Sequence, residues 1–162
     1  MEKLFGFHGR LRRRHWWMLT IGLIVCQLTL EQIYLWAMRG PDELLFTTTA
    51  TTDPDFMIFV RIVAVMFLWP TLAIDSQRFH DRDRAAWPVF VLGALGLCLA
   101  FAPPSILDPA GPTRGVAMVA GLALLPVVAW FLIQLGVLDG TPGPNRFGPS
   151  PKGFDSPRSV AP

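Results

Sequence analysis

Four apolar stretches, roughly 16–38, 56–74, 87–102 and 116–138, divide this chain, and its fourteen Lys and Arg residues are distributed unevenly between them. The stretches come close to the roughly 20 residues that an α-helix needs to cross a bilayer core. Eleven of the fourteen basic residues lie before the first stretch, between the second and third, or after the fourth. These are Lys3, Arg10, Arg12, Arg13 and Arg14, then Arg78, Arg82 and Arg84, then Arg146, Lys152 and Arg158. The first connection sets Arg39 against Asp42, Glu43, Asp53 and Asp55, and the third holds only Arg114. Cytoplasmic loops accumulate Lys and Arg, so the bias places both termini and the central loop inside, with 40–55 and 103–115 outside. The pattern predicts an all-α membrane protein: a four-helix transmembrane bundle with cytoplasmic termini and a short third span.

Composition agrees, because 52% apolar and 16% charged residues would leave a soluble domain of this size short of polar surface. The expected organisation is one transmembrane domain, 1–138, followed by a Pro/Gly-rich cytoplasmic tail, 139–162. Gly140, Pro142, Gly143, Pro144, Pro149, Pro151, Gly153 and Pro157 make that tail read as a turn-rich, mobile extension. The first apolar stretch continues past any small-residue cleavage site and is followed by three more, so it reads as a retained anchor, not a signal peptide. Cys26 and Cys98 fall inside apolar spans and read as small buried hydrophobes. The outer loop, with its run Thr47-Thr48-Thr49-Ala50-Thr51-Thr52, is polar and suggests no ligand.

Trp16, Trp17, Trp36, Trp69 and Trp87 lie near the predicted span ends, where amphipathic rings favour the headgroup layer, and Pro88 suits the first turn of a third helix. That third stretch is short before Pro103-Pro104 and must borrow flanking residues, thin the bilayer locally or sit partly within it. Pro126 removes a donor within the fourth. Ala117 with Gly121, and Gly96 with Ala100, are small-residue pairs that would let helices approach closely.

Two ionisable residues interrupt the spans. Glu31 and Arg61 fall at similar depth, roughly 8–10 Å below the outer surface at 1.5 Å rise per residue, and so predict an intramembrane polar pair. Gln27, Glu31 and Tyr34 share one helix face, which should turn inward. This arrangement reads either as a register-fixing pair or as a polar pocket or ion path.

The densest constellation is Arg78-Phe79-His80-Asp81-Arg82-Asp83-Arg84, preceded by Asp75. Adjacent His and Asp can handle protons or bind metal. A metal site would need ligands from elsewhere, however, and His8 and His15 sit in a strongly basic segment. Alternating acid and base reads more simply as a self-paired loop whose arginines hold lipid phosphate.

These residues resemble the small bacterial membrane proteins grouped as domain of unknown function 805. Three segments carry the likeness. The amino end reads Phe7-His8-Gly9-Arg10-Leu11-Arg12-Arg13-Arg14-His15-Trp16, the central segment Arg78-Phe79-His80-Asp81-Arg82-Asp83-Arg84-Ala85-Ala86-Trp87, and the tail Gly140-Thr141-Pro142-Gly143-Pro144-Asn145-Arg146-Phe147-Gly148-Pro149-Ser150-Pro151. The chain departs from the family at Ala85-Ala86, where Ser-Gly is usual, and at Ser150, where an acidic residue is common. The resemblance implies a multi-pass protein of the bacterial inner membrane and supplies no activity.

Topology puts all three segments on one side. The leading reading is a non-enzymatic membrane module without cofactor, whose headgroup or partner patch comprises Arg10, Arg78, His80, Asp81, Arg82, Asn145 and Arg146. Its partners would be membrane lipids, anionic ones among them, and a second copy or another membrane protein, with no nucleic acid. The alternative is a small transporter or channel subunit using Glu31, Arg61 and Gln134. A membrane enzyme using His80 and Asp81 ranks last, since no nucleophile–base pair or metal set is readable.

Overall fold

The computed structural model describes residues 5–42, 53–102, 112 and 114–153 of the chain. It contains α1 (Arg13–Arg39), α2 (Pro54–Asp81), α3 (Trp87–Ala100) and α4 (Arg114–Leu132), the last running on into a π-helical turn, Ile133–Val137, and the described residues form no strand. α1, α2 and the fourth helix are long and apolar enough to cross a membrane. α3 has 14 residues, about 21 Å at 1.5 Å per residue, and falls short of a core of about 30 Å. The architecture is the expected four-helix membrane bundle, with a third helix even shorter than its apolar stretch.

α2 is the hub, packing against α1, α3 and the π-helical turn. It starts cleanly, because Asp53 caps the first turn by accepting from the Asp55 amide at 3.1 Å and Pro54 occupies a position where no amide donor is needed. It then runs past the apolar stretch as far as Asp81, where Asp83 turns left-handed with φ 55°. Residues 75–81 contain no Gly or Pro to stop it. The sequence reading of a loop over this region is therefore corrected: Arg78, His80 and Asp81 stand on the last turn of a helix.

Buried apolar side chains gather at the two ends of the bundle. Leu11, Trp16, Ile74, Phe79, Val89 and Leu135 form one cluster, and Leu35 with Phe56 the other. Between them the helices expose Ile21, Ile24, Val25, Ile62, Val65 and Leu122, which suits a lipid solvent as apolar as they are. Cys26 and Cys98 belong to this exposed surface, contrary to the expectation of burial.

The tight helix approach is also elsewhere than expected. A Cβ on Gly96 or Gly121 would meet nothing within 4 Å, whereas one on Gly93 would fall 2.7 Å from Leu72, where α3 crosses α2. Pro126 lies inside α4, and Pro70 inside α2 is a second such proline. The Ala117 side chain and the threonine-rich run 47–52 lie outside the described residues.

Candidate functional site

A helix ends with four backbone carbonyls that have no partner within it. The carboxyl end of α4 finds partners for its carbonyls on the other two long helices. Arg82 Nη1 donates to the Gln134 carbonyl at 3.4 Å, Arg78 Nε to Leu135 at 2.7 Å and Trp17 Nε1 to Gly136 at 3.0 Å. Arg13 Nη1 donates to Val137 at 2.7 Å, and Arg78 Nη2 to Leu138. These five consecutive carbonyls accept from three guanidinium groups and one indole. Positive charge is the favourable sign at this end of a helix. The π-helical turn, closed by the Leu138 amide on the Ile133 carbonyl at 3.0 Å, widens the last turn where these donors enter.

Asp81 lies between two of the arginines. Its Oδ1 accepts from Arg10 Nε at 3.1 Å and its Oδ2 from Arg78 Nη1, with Arg78 wholly buried and Asp81 2% exposed. Buried charges persist only when paired and hydrogen-bonded, and this triad meets both conditions. Arg78 spends its remaining donors on the Leu135 and Leu138 carbonyls and, at 3.5 Å, on that of Leu11. Arg10 reaches the carbonyls of Thr141 and Gly143, each at 2.6 Å, and of Gly148 at 3.5 Å.

The tail is thus built into the site. The Thr141 amide donates to the Asp81 carbonyl at 2.8 Å, and its hydroxyl donates to the same oxygen at 3.1 Å. Asn145 Nδ2 donates to the His80 carbonyl at 2.9 Å, while Asn145 and Gly148 exchange paired backbone bonds at 3.0 Å. Phe147 stacks on the His80 ring with centroids 3.9 Å apart. The expected mobile extension is corrected for residues 139–150, because Arg10 and Asp81 supply partners that a free tail would find in water.

The residues expected to form a headgroup patch therefore divide. Arg10, Arg78 and Asp81 do meet, but face inward: the two arginines donate to protein groups, and the Asp81 carboxylate accepts from both. Arg82 is half-buried against Gln134. Asn145 and His80 shape the tail and its docking. Arg146 is exposed, pairs with Asp83 at 3.1 Å and lies over the Phe147 ring. Arg12, Arg14 and Arg84 are exposed and form no salt bridge among the described residues. Asp139, exposed, is held below the usual carboxylate range by the Arg13 guanidinium and by Lys152.

At the opposite end, Glu31 is buried and accepts from Gln27 Nε2 at 3.0 Å, and Tyr34 stacks on Phe59 with centroids 4.3 Å apart, so that face turns toward α2. Arg61 is not drawn to Glu31, and no salt bridge joins the two. Its Nε donates instead to the Ala100 carbonyl at 3.1 Å.

Sequence reasoning missed Asp75 as a partner of Trp16, whose Nε1 donates to it at 2.7 Å. Trp16 is consequently a buried packing residue and not a headgroup anchor. It also missed Gly136 and Gly140, where an added Cβ would fall 2.6 Å from the Trp17 ring and 1.9 Å from Asp81 Oδ2. Among the described residues no group of three or more His, Cys, Asp or Glu side chains is placed to hold a metal ion.

The family model described as "Protein of unknown function (DUF805)" matches residues 4–149. "Inner membrane protein YhaH" of Escherichia coli (strain K12) is 26% identical over 156 residues, covering 94% of this chain and 92% of that protein. "Uncharacterized protein YiiR" of the same organism is 31% identical over 147 residues, covering 90% and 85%. No solved structure matches.

Proposed function

Because this chain belongs to the DUF805 family and is a multi-pass protein of the bacterial inner membrane, we propose that it is a non-enzymatic module whose cytoplasmic face engages anionic lipid headgroups. The observation that carries this reading is the division of labour among the arginines. Arg10 and Arg78 are consumed in the buried clasp with Asp81, which fixes the amino segment, the end of α2 and the tail to one another. Arg12, Arg14 and Arg84 are left exposed around it, with Arg146 beside them on the tail. Guanidinium groups at the membrane surface suit phosphate geometry and add roughly 1 kcal/mol each in attraction to an anionic leaflet. The clasp then builds the face, and the exposed cations read the membrane. Asp81, the residue that a catalytic reading would need, is engaged on both carboxylate oxygens.

Nanodiscs of mixed zwitterionic and anionic phospholipid test this. The Arg12→Gln, Arg14→Gln, Arg84→Gln protein should lose most of the anionic enrichment that wild type shows in its co-purifying lipid. That enrichment should also weaken with salt, as exposed charge does. Equal enrichment in wild type and the triple variant defeats the proposal.

A further inference from the structure

Arg61 is a cation placed within the membrane-spanning part of α2, seven residues after Pro54 and so about 10 Å along the helix from its outer-loop end. In hydrocarbon a guanidinium needs a counter-charge or polar partners. The structure supplies two weak ones. Its Nε donates to the carbonyl of Ala100, the last residue of the short α3, and its charge lies 5.7 Å from the centre of the Phe101 ring. No carboxylate among the described residues forms a salt bridge with it, Glu31 included. The short third helix explains the first contact, since α3 ends at Ala100 beside Arg61 and its terminal carbonyl favours a cation.

Arg61 also lines an open groove of about 370 Å³ whose other walls are Ile58, Ile62, Val65, Met66 and Phe101. A cation at the edge of an apolar groove complements a molecule that joins an anion to a hydrocarbon chain. The geometry points to a phospholipid-binding site at this end of the bundle: the phosphodiester of one glycerophospholipid pairs with the Arg61 guanidinium, and its acyl chain lies in the groove between α2 and the end of α3. Phosphate accepts from two η nitrogens at once, leaving Nε for Ala100. The site is at the far end of α2 from the clasp and does not depend on the headgroup reading of that face.

Native mass spectrometry of protein released from nanodiscs measures the retained lipid, and a phospholipid with a photoreactive acyl chain reports its place. Wild type should carry a bound phospholipid and crosslink within 58–66 and at Phe101. Arg61→Leu should retain about 10- to 100-fold less, the range expected when a charge-assisted hydrogen bond is lost. Val65→Trp, which fills the groove and keeps the cation, should displace the acyl chain and abolish the crosslinks. If Arg61→Leu fails to fold, Arg61→Lys serves in its place, because it keeps charge and loses the fork, and it should retain less lipid than wild type. Unchanged retention and crosslinking in the folded position-61 variant and in Val65→Trp overturns the proposal. So does a counter-charge within the protein: a double-mutant cycle in which Glu31→Gln and Arg61→Leu each cost the same stability without adding, with no lipid retained by wild type.

Discussion

A Cβ built on Gly140 would lie 1.9 Å from Asp81 Oδ2, so the chain leaves α4 in direct contact with the carboxylate at the centre of the clasp. Asp81 cannot move aside, because Arg10 holds one oxygen and Arg78 the other. Gly140→Ala should therefore destabilise the protein by about 1–3 kcal/mol, the usual cost of forcing atoms into a packed site. Thermal unfolding in detergent measures this, and an unchanged midpoint would show that the tail can detach without loss.

The Arg10–Asp81–Arg78 triad predicts a strong asymmetry between single and paired removal. Asp81→Asn leaves two buried guanidinium groups without a carboxylate, which should cost about 3–5 kcal/mol. Arg10→Met alone should cost less than Asp81→Asn, since Arg78 still neutralises the carboxylate, and the double variant should fall well short of the sum. Chemical denaturation of the four proteins of the cycle gives the coupling, and simple additivity would mean that Arg10 and Asp81 do not interact.

Asp139 gives the clasp end a small acid sensitivity. Its carboxyl is depressed from 3.8 by Arg13 and Lys152, so the folded state binds its proton more weakly than the unfolded chain. Such a group contributes stability above its unfolded pKa, and the contribution disappears as pH falls through the folded value. Wild type should lose stability below about pH 4 through this group. Asp139→Asn should flatten that part of the pH profile. Parallel profiles for the two proteins would exclude the contribution.

The bundle was legible from hydropathy alone, because span length and charge bias are averaged over many residues and tolerate local error. The meeting of Arg10, the end of α2 and the tail was legible only as a shared side of the membrane. What was not legible was the direction the arginines face. Arg78 and Arg84 look alike in sequence, yet one is wholly buried and the other exposed. The difference lies in the helix phase at Asp81 and in the helix-end carbonyls of residues 134–138, which take side-chain donors in place of intrahelical ones, and backbone groups leave no trace in composition. Glu31 and Arg61 failed as a pair for a similar reason: depth along a helix was readable, while the angle about its axis and the early end of α3 were not.

Orientation is the remaining expectation, and the structure supplies a better probe of it than sequence would choose. Basic residues accumulate at both termini and beside the clasp, which predicts that this end faces the cytoplasm. Ser76, a natural choice for a reporter cysteine near the central loop, is 1% exposed and would label poorly from either side. Ala85 is exposed in the turn between α2 and α3 and makes a sound reporter. In a background with Cys26 and Cys98 replaced by Ala, Ala85→Cys should resist a membrane-impermeant maleimide in intact spheroplasts and react once the membrane is opened. Asp42→Cys, just beyond α1 on the opposite side, should behave in the reverse way. Labelling of Ala85→Cys from outside intact cells would invert the topology and move the clasp, with its exposed arginines, to the periplasmic face.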